Sequence, residues 1–262
     1  MTLSVQETIA QRKAQGHGTL VAYLPVGYPD LATSVEASIA VLNSGADILE
    51  LGVPYSDPVM DGTVIARATQ TALERGFKLR HVFPAVAEIV KATGKPVLVM
   101  TYWNPVVQYG VEKFATDLKA AGGAGLITPD LIPDEAADWL DISERLELER
   151  VFLAAPSSSD SRLHVAGEQS KGFVYAVSTM GITGTRIDVD SAARGLVERI
   201  YAQGAEATCV GLGISTAEHV TDVVGFADGA IVGSALVRAL SEGGVGAVGE
   251  LAQSLASGTK RN

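Results

Sequence analysis

Residues Ala46–Gly62 read "ADILELGVPYSDPVMDG". From Ile48 to Pro54 the stretch is an almost unbroken apolar run holding one acid, Glu50. Side chains alternate faces along a strand, so Ile48, Glu50 and Gly52 share one face while Leu49, Leu51 and Val53 share the other. The leucine–valine face suits packing against helices, which leaves Glu50 on the opposite, inner side. An apolar run of this kind is expected of a parallel sheet covered on both faces. An ionised carboxylate buried there without a partner costs several kcal/mol or takes up a proton.

The same kind of run recurs along the chain. Strands are predicted at "TLVAYLPVG", "ADILELGVP", "KPVLVMTYW", "AGLITPD", "RVFLAAP", "FVYAVST", "ATCVGLG" and "GAIVGS". Helical patterns follow each, as at Leu31–Ser44, Val64–Arg75, Val111–Ala121 and Ala192–Ala202. Lys78–Thr93 reads as an extra helix before the third strand, and "MTLSVQETIAQRKAQGHG" as an amphipathic helix before the first. Eight βα units in 262 residues predict an α/β protein built as a single (β/α)8 barrel domain, a TIM barrel with an extra N-terminal helix and additional helices. A doubly wound open sheet is the alternative. In a barrel Glu50 points inward near the C-terminal end of its strand, where barrel enzymes place their chemistry.

Composition narrows the function. Acids outnumber bases 30 to 20, for a formal charge of -10, which disfavours a nucleic-acid binder that must neutralise phosphates. One cysteine, Cys209, rules out a disulfide framework and fits a reducing cytoplasm. No apolar run reaches the roughly 18 residues of a membrane span, and the start lacks the apolar centre of a signal peptide. A cytoplasmic protein acting on a small molecule, with neither nucleic acid nor membrane as partner, is expected.

A structural ion pair is the plain alternative for Glu50, but no basic residue stands in the middle of any predicted strand. Asp61, before Gly62 and a helix, is either a helix N-cap or a second functional carboxylate at the same mouth. Asp57, in "SDP", suits a turn. Two carboxylates in different surroundings can hold different pKa values and divide acid and base work. Farther along, "VGLGIST" (Val210–Thr216) and "IVGSALV" (Ile231–Val237) each leave a strand and enter a helix. Glycine lets backbone N–H groups approach an anion, and in these barrels phosphate commonly sits after strands 7 and 8. Tight turns without a ligand are the alternative. Between them "STMGITGTRIDVD" (Ser178–Asp190) is long enough for a lid.

Several chemistries lack their residues. A Schiff-base aldolase needs a lysine at a strand end, whereas Lys95 and Lys171 precede their strands. His17, His81, His164 and His219 are scattered rather than clustered as metal ligands would be. No P-loop or Rossmann glycine pattern stands in a convincing context. Acid–base chemistry remains, and breaking a carbon–carbon bond that way requires the substrate to supply its own electron sink.

"ADILELGVPYSDPVMDG", "VYAVSTMGITG", "VGLGIS" and "AIVGSA", with "LPVGYPD", "YWNPV" and "LITPDLIPDEA", together closely resemble the tryptophan synthase alpha subunit family over essentially the whole chain. The resemblance implies a (β/α)8 barrel that cleaves indole-3-glycerol phosphate to indole and glyceraldehyde 3-phosphate. It implies no cofactor in this chain, and a beta subunit carrying pyridoxal phosphate as partner in an α2β2 complex. By the same likeness Glu50 is the mobile acid–base and Asp61 the acceptor at the indole N–H. Tyr175 would lie near Glu50 or the glycerol chain. Gly184, Gly213, Gly233 and Ser234 would hold phosphate, and Thr183 would couple lid closure to Asp61. Tyr23, Met100, Tyr102 and Ile127 would sandwich the indole, although the family often has phenylalanine at the first and leucine at the second. The loops around Pro54–Met60, Asn104–Val107 and Pro129–Ile132 would face the beta subunit. A lyase working without a beta subunit, and an idle subunit that only activates its partner, are the competing readings.

Overall fold

The computed structural model describes residues 4–177, 186–211 and 213–261, with no side-chain description for 186–190. Its strands are β1 (Thr19–Pro25), β2 (Ile48–Gly52), β3 (Val97–Met100), β4 (Gly125–Ile127), β5 (Glu149–Val151), β6 (Leu153–Ala154), β7 (Val174–Val177), β8 (Thr208–Gly211) and β9 (Gly229–Val232). All pair in parallel, in the order β5-β4-β3-β2-β1-β9-β8-β7-β6. The two ends of that order, β5 and β6, are halves of one crossing interrupted only at Phe152. β5 pairs with β4 and β6 with β7, so the sheet closes on itself through this single segment. The eight predicted strands are therefore present, the fifth broken in two, and the open-sheet alternative fails.

The helices are α1 (Val5–Ala14), α2 (Leu31–Asn43), α3 (Thr63–Glu74), α4 (Val82–Thr93), α5 (Trp103–Tyr109), α6 (Val111–Ala120), α7 (Ala137–Arg145), α8 (Asp160–Gln169), α9 (Arg186–Ala202), α10 (Ala217–Val224) and α11 (Ser234–Ser257). The extra helix expected at Lys78–Thr93 is a 3-10 turn, Leu79–His81, running into α4. Two expectations change. The segment around Asn104–Val107 is helical, within α5, because Tyr102 turns extended and starts a helix at Trp103. α9 starts at Arg186, six residues before the predicted Ala192, which shortens the long connection.

Alternation along the strands sorts the core into two shells. Leu49, Leu51 and Val53 pack outward with Leu24, Val97, Val99 and the helices, in one large cluster. Inside the barrel Val21, Ile48, Leu98, Ile127, Val151, Phe173, Cys209 and Ile231 form a second cluster. α1 closes its lower end: Val5 and Ile9 belong to the inner cluster. The buried Glu149 carboxylate accepts the Val5 and Gln6 amides at 2.7 and 2.9 Å, holding the first turn of α1 beneath the strands.

Arg150 corrects the expectation that no base stands mid-strand: β5 begins at Glu149, so Arg150 is central and buried. Its guanidinium runs outward, to the Gln169 carbonyl (2.6 Å) and Glu144 (3.1 Å), away from the barrel interior.

Replacing Glu149 with alanine strands two amides at a buried helix start. This should lower stability by about 1–2 kcal/mol. A shifted urea midpoint at unchanged m-value would show it, and an unmoved midpoint would count against the α1 anchor.

Candidate active site

Glu50 is fully buried in the middle of β2, cross-strand from Tyr23 on β1 and Leu98 on β3. Neither Oε1 nor Oε2 has a hydrogen-bond partner, and no ion pair reaches it among the described residues. The ion-pair reading is thereby excluded for those residues. Desolvation alone lifts the carboxyl from its ordinary 4.5 to about 8, so it holds its proton at neutral pH.

Glycines make room around it. Tyr23 lies across Gly52, where an added Cβ would come within 2.3 Å of the tyrosine hydroxyl. Tyr175 lies likewise against Gly211, its hydroxyl 2.7 Å from where a Cβ would be. Both rings are close enough for the Glu50 charge to oppose ionisation of their hydroxyls, after burial has already done most of that.

Asp61 sits where the β2–α3 loop returns to the barrel mouth. It is not a helix cap: Gly62 is the N-cap of α3, with no side-chain capping bond. The Asp61 carboxylate instead accepts a bond of 3.4 Å from the Tyr102 hydroxyl, which itself accepts the Met60 amide at 2.8 Å. Partial burial raises Asp61 from 3.8 to about 6, the Tyr102 bond working in the other direction. Burial, reinforced by the neighbouring Asp61 charge, pushes the Tyr102 hydroxyl up to about 12. Near pH 7 one carboxyl is therefore mostly neutral and the other mostly charged. Asp57 stays on the exposed turn, accepting from Ser56 at 2.6 Å.

A cavity of about 410 Å³ opens between these groups and the glycine turns. Tyr23, Asp61, Met100, Tyr175, Gly213, Gly233 and Ser234 all line it. Glu50 lies one inward position below, beneath Gly52. Tyr102 stands behind Asp61 rather than in the wall, and Ile127 is sealed in the inner cluster beside Met100. Thr183 and Gly184 fall outside the described residues.

The two glycine turns differ. α10 is capped by its own Thr216, whose hydroxyl accepts the His219 amide, and Gly213 precedes it at φ 52. α11 has Gly233 as its N-cap, without a side-chain capping bond, so its first N–H groups have no partner within the helix, and Gly233, Ser234 and Ala235 line the cavity there. Ile65, Ile214 and Arg238 also line the cavity, and the strand-end patterns had not singled them out. Arg238 was legible in principle, since it stands four residues beyond Ser234 and so on the same helix face.

Because the unfolded chain releases the Glu50 proton near 4.5 and the folded chain keeps it to about 8, stability falls as pH rises through that window. The full loss above pH 8 is at most on the order of 5 kcal/mol. Glu50→Gln should therefore melt close to the wild type at pH 4.5 and progressively above it towards pH 8.5. A melting difference that ignores pH would mean the buried acid does not exchange its proton on unfolding.

Similarity to known proteins agrees with this geometry. The sequence profile of the tryptophan synthase alpha chain matches residues 9–260. The chain is 62% identical over 257 residues to the tryptophan synthase alpha chain of Leifsonia xyli, covering 98% of each. It is 55% identical over 242 residues to that of Mycobacterium avium, covering 92% of this chain and 89% of the relative. Among solved structures, tryptophan synthase from M. tuberculosis superposes with TM-score 0.92 at 47% identity, over 99% of this chain and all of that one. A chain of the tryptophan synthase complex from Pyrococcus furiosus gives 0.83 at 34%, over 92% and 98%. A closed barrel, a buried acid beside a charged one, and similarity along almost the full length agree: the chain belongs to the tryptophan synthase alpha chain family.

Proposed function

We propose that this chain cleaves indole-3-glycerol phosphate to indole and glyceraldehyde 3-phosphate, with Glu50 as acid and then base and Asp61 as the group facing the indole nitrogen. The unpartnered, protonated Glu50 carboxyl carries this reading. An acid donor for a weakly basic ring carbon must still hold its proton at neutral pH, and desolvation supplies that.

The steps balance within the substrate and two side chains. Glu50 protonates C3 of the indole, and Asp61 stabilises or accepts the proton on the ring nitrogen. The resulting indolenine is the electron sink. Glu50, now a carboxylate, takes the proton from the hydroxyl on the adjoining side-chain carbon as the C3–carbon bond breaks. The bond electrons return to the ring, the nitrogen regains its proton, and an aldehyde leaves with the phosphate.

Tyr23 and Met100 supply apolar walls for the ring, and Tyr175 lies between Glu50 and the glycerol chain. Gly213, Gly233 and Ser234, with Gly184 by family resemblance, hold the phosphate through backbone N–H groups and the start of α11. Tyr102 acts through Asp61, and Ile127 acts from behind Met100. Thr183 keeps its resemblance-based role in lid closure.

A beta subunit, carrying the pyridoxal phosphate that condenses indole with serine, is proposed as the partner in a cytoplasmic α2β2 assembly. Exposed apolar side chains support an interface at this mouth: Val59, Met60, Val107 and Ile132 lie on the segments after β2, β3 and β4. Among the described residues no helix is long and apolar enough to cross a membrane.

For the isolated chain, kcat/KM should rise with pH through about 6 as Asp61 ionises and fall through about 8 as Glu50 loses its proton. A profile flat across pH 5.5–8.5 would refute the division of roles. Glu50→Gln should reduce indole release by about three orders of magnitude, and Asp61→Asn by about two, both still binding glycerol 3-phosphate. Adding beta subunit should raise turnover of the native chain about tenfold or more by favouring the closed state. High activity alone, unmoved by partner, would favour a free-standing lyase. None with the partner would favour an idle activating subunit.

A further inference from the structure

Among the described residues lining the cavity, two carry charge, Asp61 and Arg238. Arg238 lies on α11 four residues beyond Ser234, so its side chain rises from the face that presents the uncapped first turn. Its guanidinium has no ion pair or hydrogen bond among the described residues. Arg12, Arg145, Arg150, Arg199 and Arg261 each rest on a carboxylate, and of the described arginines that do not, Arg238 is the one lining the cavity. Arg238 is exposed, and it stands at the rim of the cavity without a partner among the described residues.

The setting gives that cation work to do. The chain carries a formal charge of -10, and the cavity already holds the largely ionised Asp61. A phosphate dianion approaching this mouth meets net repulsion, and the backbone donors at its end act only at contact distance. A guanidinium presents a planar fork matched to phosphate oxygens and attracts the anion from farther away.

We propose that Arg238 is a phosphate-binding residue of the substrate site, its guanidinium closing on the outward oxygens of a phosphate seated at the start of α11. This rests on reading that end of the cavity as the phosphate seat. Arg238 belongs to binding and takes no part in the proton transfers.

The test compares the native chain with Arg238→Gln and Arg238→Lys, using indole-3-glycerol phosphate as substrate and glycerol 3-phosphate as competing ligand. For Arg238→Gln, KM and the glycerol 3-phosphate inhibition constant should both rise about fivefold or more, with kcat within about twofold. The fall of kcat/KM with added salt should become shallower for Arg238→Gln, while Arg238→Lys should keep the salt dependence and recover only part of the affinity, lacking the fork. Unchanged KM and inhibition constant in Arg238→Gln overturn the proposal while leaving the phosphate seat intact. A drop in kcat with KM unmoved also overturns it. If the native chain itself fails to bind glycerol 3-phosphate, the seat falls and the role of Arg238 with it.

Discussion

A carboxyl group in the middle of a closed barrel, with no hydrogen-bond or ion-pair partner among the described residues, sets the terms for what surrounds it. Water would relieve its desolvation, so the site can keep a neutral acid only while the interior stays dry. The rings of Tyr23 and Tyr175 provide that cover from above. They can lie flat there because Gly52 and Gly211 carry no side chain in the space they occupy. Inward residues Leu98, Ile127 and Phe173 and the plug from α1 dry it from below. The energetic burden of one residue is thus distributed over several strands, and the alternation of β2 decides which side bears it.

Asp61 answers to different physics. It is placed by a loop, reached by solvent from the cavity, and steadied by a short chain of bonds through the Tyr102 hydroxyl to the Met60 amide. The two acids stay about two pH units apart because one is held by strand geometry in an apolar interior and the other by a polar loop at its edge. The third element, the start of α11, lies across the same cavity and relies on backbone groups, with Arg238 above it. On the proposed reading, proton transfer and anion binding are thereby separated in space, and changes at one end need not disturb the other.

Much of this was legible in the residues, for reasons that can be named. Strands buried on both faces write themselves as apolar runs, and period-two alternation put Glu50 on the inner face. The split of the fifth crossing at Phe152 was hidden, since a break in pairing leaves no mark in composition. Arg150 shows how a one-residue difference in strand start moves a base from the edge of a strand to its middle, and why only the side-chain direction decides its meaning. Asp61 could not be told from a helix cap by position alone, because the deciding partner, Tyr102, lies 41 residues away. Ile127 and Met100 are neighbours in register on adjoining strands, yet only Met100 reaches the cavity, a distinction of depth that a linear pattern does not encode. The start of α9 was missed because its first turn follows a glycine- and threonine-rich stretch that reads as loop.

The plug formed by α1 has a consequence for traffic. With Val5 and Ile9 filling the lower end and the Glu149 carboxylate pinning the helix there, the described residues close the chamber from below. The mouth above is flanked on one side by the bare apolar residues Val59, Met60, Val107 and Ile132. On the proposed reading of the site, a departing uncharged ring passes apolar side chains, while a departing anion passes Arg238. On that reading, the two products thus meet unlike walls at one opening.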